Sequence, residues 1–511
     1  MKLYEKYKMI TKDLGQLEKA YFTTFNLSPE FIERYILPPL LCVDIPSNEL
    51  GYEELNDKLK NKKPDIKFFH DGNMSKFDEA KRTSVEFYPI ILKNGVFHPK
   101  VIWLEGENGA FLMVGSGNLT LNGWGRNIEA FRIIKVTKND NIYKQSHNFF
   151  VDVFEKAGLE KKKKKPTQNS ESRNLIYGYD KQSSFLESLK LKENLQVYSP
   201  YFSDLDELAN NEQLKKLTSI KVIPNINKND KVCLTKLPTK EKITFHKDED
   251  AEEKFNHSKV WISDSKIAIG SHNMTKQAIF GDNFEASIVE NLTTTSFNIE
   301  NNKFKPSILE EGELITEEED VAPKDSFNCN FKLTANWKER TFKIEKIGET
   351  SHKKSLKIIL PSKVKTCFKN ISKLNDIEKE SILSSMIRDK SFSVYDKDKL
   401  IFRGFITEEE TSYRYEIKAE NLEDIFLAFE EKDEAILKEH LIQRVLNQTK
   451  EGNHTIKKHN FDKNYFTMFK GFKKLNEKLE KIKSKKELHR FCFSSTISIT
   501  AIMRILDNEN T

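Results

Sequence analysis

At 511 residues, with 37% apolar and 32% charged side chains, the chain has material for about two to four packed domains, and its patterning excludes a disordered polymer. A net charge of +6 is small for this length and leans only slightly toward anionic partners. No apolar run approaches a membrane span, and Met1-Lys2-Leu3-Tyr4-Glu5-Lys6 lacks the apolar core of a secretory segment.

In chain order, Leu41-Cys42-Val43-Asp44-Ile45-Pro46 is expected to be a strand. Its counterpart in a second half-unit is Leu195 to Phe202. Val101–Leu104 and Phe111–Val114 read as buried strands, as do Val260–Ile262 and Lys266–Ile269. Between the halves, the lysine run 160–166 continues through Thr167-Gln168-Asn169-Ser170 as a charged joint, expected to pass near a shared cleft. The acidic stretch 310–320 ahead of Ala322-Pro323 reads as a linker. Beyond it, Phe331–Leu333, Thr341–Glu345, Leu356–Leu360, a hairpin turning at Asp396–Lys399, and Tyr413–Ile417 alternate like half-exposed strands. From Asn421 the period becomes helical, and Leu475, Leu479 and Ile482 continue that spacing among many lysines. The expected organisation is an α/β fold with two duplicated lobes, 1–160 and 170–296, a β-rich domain at 326–420, and a helical region at 421–511.

The duplication rests on a repeated polar constellation. The first copy is His98-Pro99-Lys100, Glu105, Gly115-Ser116-Gly117-Asn118 and Glu129. The second is His257-Ser258-Lys259, Asp264, Gly270-Ser271-His272-Asn273 and Glu285. Four residues separate Lys from the acid in both. With only 11 histidines in the chain, a doubled match in the same order is not an accident of composition. If each His-x-Lys lies on a strand, its two side chains project to one face. The glycine turn lets backbone amides approach an anion. Two lysines, Asn118 and Asn273, and the Ser116 and Ser271 hydroxyls suit the non-bridging oxygens of a phosphodiester. One imidazole attacks phosphorus while the other handles the leaving-group proton, and each needs a carboxylate to fix its tautomer. Glu129 and Glu285 are the candidates.

The pattern resembles the His-x-Lys-x4-Asp signature of the phospholipase D superfamily, over roughly residues 10–295. The resemblance implies phosphodiester cleavage through a phosphohistidine without metal or other cofactor. It also implies that Glu129 and Glu285 bond the motif histidines, and that Glu105 and Asp264 are structural acids tying down neighbouring backbone. Glu105 departs from the usual Asp. Tyr21–Asn26, Ser28–Ile32 and Asn118-Leu119-Thr120 with Gly123-Trp124 are similar to DNA-directed members, tyrosyl-DNA phosphodiesterases and bacterial nucleases among them. By analogy with two-motif relatives His98 is the nucleophile and His257 the general acid and base, although the sequence itself leaves the pair symmetric.

The expected function is a DNA phosphodiesterase of phage defence, restriction or repair. A phospholipid-cleaving enzyme with the same site, and a non-catalytic DNA-end-binding module for a helicase-type partner, are the alternatives. One chain carries both motifs, so a monomer suffices for a complete site. The carboxy-terminal region is the candidate partner surface, and no membrane association is expected. Five scattered cysteines (Cys42, Cys233, Cys329, Cys367, Cys492) without Cys-x-x-Cys spacing are expected to be reduced, mostly buried thiols of a cytoplasmic protein.

Overall fold

A computed structural model describes residues 3–410 except 47–48, 63, 75–79, 160–162, 169, 179–183, 227–230, 248–253, 294–301, 310–329, 348–355 and 387; beyond 410 it describes 473, 476, 477, 479, 480, 482, 488 and 492. The acidic stretch at 310–320, the strand expected at Tyr413–Ile417, the helix from Asn421 and most of the lysine-rich helical segment, Leu475 included, lie outside the described residues.

Six strands form the first sheet: β1 (Leu17–Thr24), β2 (Asp65–Asp71), β3 (Glu86–Ile90), β4 (Val101–Gly106), β5 (Gly109–Gly115) and β6 (Phe131–Val136). Their order is β3-β2-β1-β4-β5-β6, parallel from β3 to β1 and antiparallel from β1 to β6. Alternation along each strand gives the sheet two apolar faces. Ala20, Phe22, Phe68, Ile102, Leu104 and Met113 enter one core, which is closed by Tyr7, Ile10, Ile32, Ile36 and Leu55 from the amino-terminal helices. Tyr21, Phe69, Val101, Trp103, Leu112 and Val114 enter the other.

The second half has β7 (Arg173–Gly178), β8 (Asn194–Ser199), β9 (Ser219–Pro224), β10 (Lys231–Val232), β11 (Ile243–His246), β12 (Val260–Ser263), β13 (Lys266–Gly270), β14 (Glu285–Asn291), β15 (Lys303–Phe304) and β16 (Ser307–Ile308). Its larger sheet runs β15-β11-β9-β8-β12-β13-β14-β7. Within it, β11-β9-β8-β12-β13-β14 repeats the first sheet strand for strand, with the same parallel and antiparallel pairings. The expected duplicated α/β architecture is present. β15 pairs with β11 and β16 with β10, so the second lobe runs past residue 296. Leu175, Phe284, Ala286 and Ile288 of this sheet share a core with the first sheet and with Phe149, Phe150, Val153 and Phe154 of the helix Asn141–Lys156. The two lobes are therefore joined by a common apolar interior.

Three expectations change. The counterpart of β8 is β1, not Leu41–Pro46. There Pro38 opens a short helix Leu37–Leu41 whose Leu37, Leu40 and Leu41 fill the core, and Cys42 ends it in a left-handed conformation at φ 56°. The joint between the lobes is strapped along the helix Asn141–Lys156: Asn148 bonds both the amide and the carbonyl of Lys165, and Lys164 pairs with Asp152. The same helix sends Tyr143 to Glu105, near the opposite end of β4 from His98. The described lysines of the joint thus run beside that helix instead of into the cleft. Finally, Cys42 and Cys233 are exposed, not buried; with Cys367 and Cys492 they are unbridged.

A further β-rich unit follows: β17 (Asn330–Asn336), β18 (Thr341–Ile347), β19 (Lys357–Ile359), β20 (Lys365–Cys367), β21 (Ser391–Asp396), β22 (Lys399–Phe405) and β23 (Thr407–Glu409). Two small sheets close on one core with the helix Asp376–Ser385, whose amino terminus carries a reciprocal Asn375–Glu378 cap. The unit is tied to the first lobe by Lys390. This fully buried residue donates its amide to the Lys81 carbonyl (2.8 Å) and its ammonium to the carbonyls of Arg82 and Met386 (2.7 Å each).

Candidate active site

The two motif segments sit just ahead of β4 and β12, not within them as expected. Each is paired instead with backbone of the other lobe. The His98 amide donates to the Phe284 carbonyl and the Phe284 amide to the Val96 carbonyl, both at 2.9 Å. Likewise the His257 amide donates to Ile128 (3.0 Å) and the Ile128 amide to Phe255 (2.9 Å). Phe284 and Ile128 each immediately precede the acid of their own copy. This backbone exchange therefore sets each acid beside the opposite histidine.

The side chains follow. His98 Nδ1 lies 2.8 Å from Glu285 Oε2, and His257 Nδ1 lies 2.7 Å from Glu129 Oε1. Both pairs are buried. A carboxylate only accepts, so each Nδ1 carries a proton. The pairing is crosswise: neither copy supplies the acid for its own histidine. Burial alone would raise the Glu285 carboxyl, but the positive charge and hydrogen bond of His98, with His272 and Lys100 beyond, hold it down to about 2.

Each acid is braced in the same way by its own copy. The Ser116 hydroxyl donates to Glu129 and that of Ser271 to Glu285. Asn127 Nδ2 donates to Glu129 Oε1 (3.4 Å), and Asn283 Nδ2 to Glu285 Oε1 (3.2 Å). The serines also accept from the Ala130 and Ala286 amides, while their own amides go to the Ala130 and Ala286 carbonyls. This corrects the expectation that Ser116 and Ser271 hold phosphate oxygens: their hydroxyls and amides are committed to the acids and the sheet. Gly115 and Gly270 have a related purpose. A Cβ on Gly270 would fall 2.2 Å from the Ala286 carbonyl oxygen, and one on Gly115 2.6 Å from that of Ala130. These glycines allow close strand approach.

Lys100 and Lys259, both 1% exposed, donate to the carbonyls of His98 and His257 at 3.0 Å. The Lys259 ammonium also lies 2.7 Å from His257 Nε2. Asn118 and Asn273 are anchored through their carbonyl ends, Asn118 Oδ1 accepting from the Thr24 hydroxyl (3.2 Å) and the Phe25 amide (3.3 Å), and Asn273 Oδ1 from the Ser199 hydroxyl (3.4 Å). The amide nitrogen is the donor end of each side chain. Thr24 and Ser199 also accept from the Leu119 and Met274 amides, a second duplicated brace.

The two motif acids differ. Asp264 accepts from the Glu193 and Asn194 amides and from Asn194 Nδ2, fixing the start of β8. Glu105 ties no backbone: it accepts from Lys19 (3.0 Å), Trp103 Nε1 (3.3 Å) and the Tyr143 hydroxyl (3.2 Å). Its longer side chain reaches across to neighbouring side chains, and these overcome the effect of burial to lower its carboxyl below the ordinary range. His272, which replaces the Gly117 of the first copy, is withdrawn into the core, stacked on Phe185 with ring centres 3.9 Å apart and bonded to Ser287.

The sequence reading missed Asn127, Asn283, Thr24 and Ser199. The asparagines carried a signal, standing two residues before the acid in both copies. The hydroxyls carried none within the motifs.

No family model matches the chain, and no curated protein matches it by sequence. Among solved structures it is similar to yeast tyrosyl-DNA phosphodiesterase, at 14% identity and a TM-score of 0.37, over 56% of this chain and 86% of that one. It is also similar to phosphatidylserine synthase of Haemophilus influenzae Rd KW20, at 10% identity and a TM-score of 0.36, over 56% of this chain and 80% of that one. A third is polyphosphate kinase from Porphyromonas gingivalis, at 10% identity and a TM-score of 0.37; the match covers 57% of this chain but only 43% of the kinase.

Proposed function

We propose that the chain is a phosphodiesterase of the phospholipase D type acting on DNA. The observation that carries this reading is the reciprocal exchange of His98–Glu285 and His257–Glu129, which gathers two tautomer-fixed imidazoles and two buried lysines from one chain. In the first step His98 Nε2 forms a bond to phosphorus as the bond to the leaving oxygen breaks, and that oxygen takes a proton from His257 Nε2. In the second, His257 takes a proton from water, whose oxygen attacks phosphorus. The nitrogen–phosphorus bond then breaks and its electron pair returns to His98. The Lys259 ammonium, 2.7 Å from His257 Nε2, suits the delivery of a proton to the leaving-group side. Lys100, Lys259, Asn118 and Asn273 neutralise the non-bridging oxygens.

A DNA target is supported by the half-buried rings of Phe255 and Tyr201 beside His257, at 5.8 and 6.5 Å between ring centres, because such rings are platforms for bases. No helix among the described residues is long and apolar enough to cross a membrane. We place the enzyme in the cytoplasm, in defence, restriction or repair, with the carboxy-terminal region as its partner surface.

The test is cleavage of labelled single-stranded and duplex DNA with and without excess chelator. Cleavage that survives chelator and disappears in both His98→Ala and His257→Ala supports the reading. Cleavage lost in chelator and restored by magnesium overturns the mechanism. Headgroup release from vesicles without DNA cleavage, or DNA retention without turnover, overturns the substrate or the activity respectively.

A further inference from the structure

The register of the two sheets sets one corner of each lobe against the other. Thr24 of β1 pairs with His70 of β2, and Ser199 of β8 with Pro224 of β9. Counting back along β2 and β9, Lys67 corresponds to Lys221 and Asp65 to Ser219. On the next strand Glu86 lies opposite Lys67, and Thr244 lies opposite Lys221. In the first lobe this lysine is neutralised and covered. Lys67 pairs with Asp65 and lies 6.0 and 5.8 Å from the ring centres of Tyr21 and Phe154, the second of these from the helix Asn141–Lys156.

The second lobe keeps the lysine and lacks both acids. Ser219 and Thr244 stand where the first lobe has Asp65 and Glu86. Among the described residues no helix lies between β14 and β15, and β15 runs beside β11, setting Lys303 directly opposite His246. Ile220, Val222, Ile243 and Phe245 enter the core, so Lys221, Thr244 and His246 share the other face of the sheet. Lys221 is half-buried and Lys303 exposed, and the ammonium of neither has an ion pair or hydrogen bond among the described residues. His246 is 7% exposed; its Nε2 lies 2.9 Å from the Thr244 hydroxyl, and its Nδ1 is buried without a partner. With that hydroxyl donating to Nε2, Nδ1 is left as an unused donor. Burial, and then the charges of Lys221 and Lys303, hold the imidazole below the ordinary histidine range. Two ammoniums and one imidazole thus meet on a face where the first lobe places acids.

We propose that Lys221, His246 and Lys303 form a second phosphate site, which holds a backbone phosphate of the same nucleic-acid strand that is cut at the two histidines. Two cations flanking an N–H donor suit the non-bridging oxygens of a phosphodiester. The site lies at the catalytic edge of its sheet. Asn225, just past the end of β9, accepts the Asn256 amide beside His257 at 2.8 Å, and His246 ends the parallel strand β11 at that same edge. In the strand order β11 is three places from β12, about 14 Å across, or about four nucleotides at the rise of a stacked strand. The inference rests on reading the chain as a DNA phosphodiesterase.

The test uses the full chain. Fluorescence anisotropy of a labelled single strand of about twelve nucleotides, in a His98→Ala background that prevents cleavage, reads affinity against salt. In the double variant Lys221→Gln, Lys303→Gln the slope of log affinity against log salt falls by about 1.4, the share of two lysines on a single strand. In the cleaving chain, the advantage of that strand over a dinucleotide in kcat/KM shrinks about tenfold. The double variant Ser219→Asp, Thr244→Glu installs the acids of the first lobe, keeps both lysines and lowers the slope as well. The nitrogen-labelled imidazole of His246 titrates at higher pH with the strand bound, because the anion offsets the two ammoniums. An unchanged slope and an unchanged length advantage in the lysine variant overturn the proposal. Should that variant fail to fold, an unchanged slope in Ser219→Asp, Thr244→Glu overturns it independently. A His246 shift produced by inorganic phosphate but not by the strand overturns the assignment to nucleic acid. Lowered slopes in a chain that cleaves no phosphodiester support the site and sink the catalytic reading. Cleavage with unchanged slopes does the reverse.

Discussion

Glu285 concentrates the logic of the site in one carboxylate. It accepts from His98 of the other lobe and from Ser271 and Asn283 of its own, at 0% exposure. Glu285→Gln preserves the shape but places a donor against Nδ1, so the imidazole is driven to the wrong tautomer. We expect kcat to fall on the order of 10³-fold or more with KM little changed, as in other carboxylate–histidine pairs, in steady-state cleavage assays. Acid lability has a separate origin. Burial holds the imidazoles of His70 and His272 down to about 4, against 6.5 when free. Their stabilisation is present above pH 6.5 and is lost as pH falls through about 4; that of Glu285, ordinarily 4.5, is lost only toward 2. The histidines therefore give way first. In His272→Asn, stability measured by urea unfolding declines less steeply between pH 6.5 and 4 than in the parent. The main polar residues were legible because two copies check each other. Thr24 and Ser199 were not, because each lies more than seventy residues upstream of the asparagine it braces, and only folding reveals the pairing.

At the scale of elements, β13 and β14 are packed too closely for any side chain at Gly270. Gly270→Ala must part these strands, and with them Ser271 and Glu285. A loss of about 1–3 kcal/mol is expected, the usual penalty of an overpacked interior, visible as a lower unfolding midpoint. Activity should fall with it, since the strand shift separates Glu285 from His98. The strands themselves were readable wherever apolar residues alternate or run unbroken, as in β4, β5, β12 and β13. Leu41–Pro46 misled because a short apolar run is equally suited to a strand or a buried helical turn. Its use is decided by Pro38 and by the core that receives Leu40 and Leu41. The helix Leu3–Asp13 escaped notice because its apolar stripe is thin among charged neighbours; Tyr7 and Ile10 are nonetheless buried. Register and strand order, which bring Thr24 and Ser199 to equivalent places, are long-range properties that no local pattern contains.

Across the whole molecule, the β-rich unit docks on the first lobe through the buried Lys390, by its amide and its ammonium, and through Phe405 against Phe87. Lys390→Ala removes two charge-assisted bonds, to Arg82 and Met386, and strands both carbonyls. We expect a loss of about 2–3 kcal/mol, with earlier proteolytic release of the segment around 330–410 than in the parent. An unchanged melting profile and digestion pattern would show that the apolar contact of Phe405 with Phe87, ring centres 5.1 Å apart, suffices for docking. The deeper consequence concerns the crosswise exchange of histidines and acids. Duplication ordinarily supplies a spare: one copy is free to decay while the other keeps working. Here each half lends its acid to the other and keeps none for itself. A lesion in either half silences both, and the repeat confers no redundancy at all. The two halves form one indivisible unit.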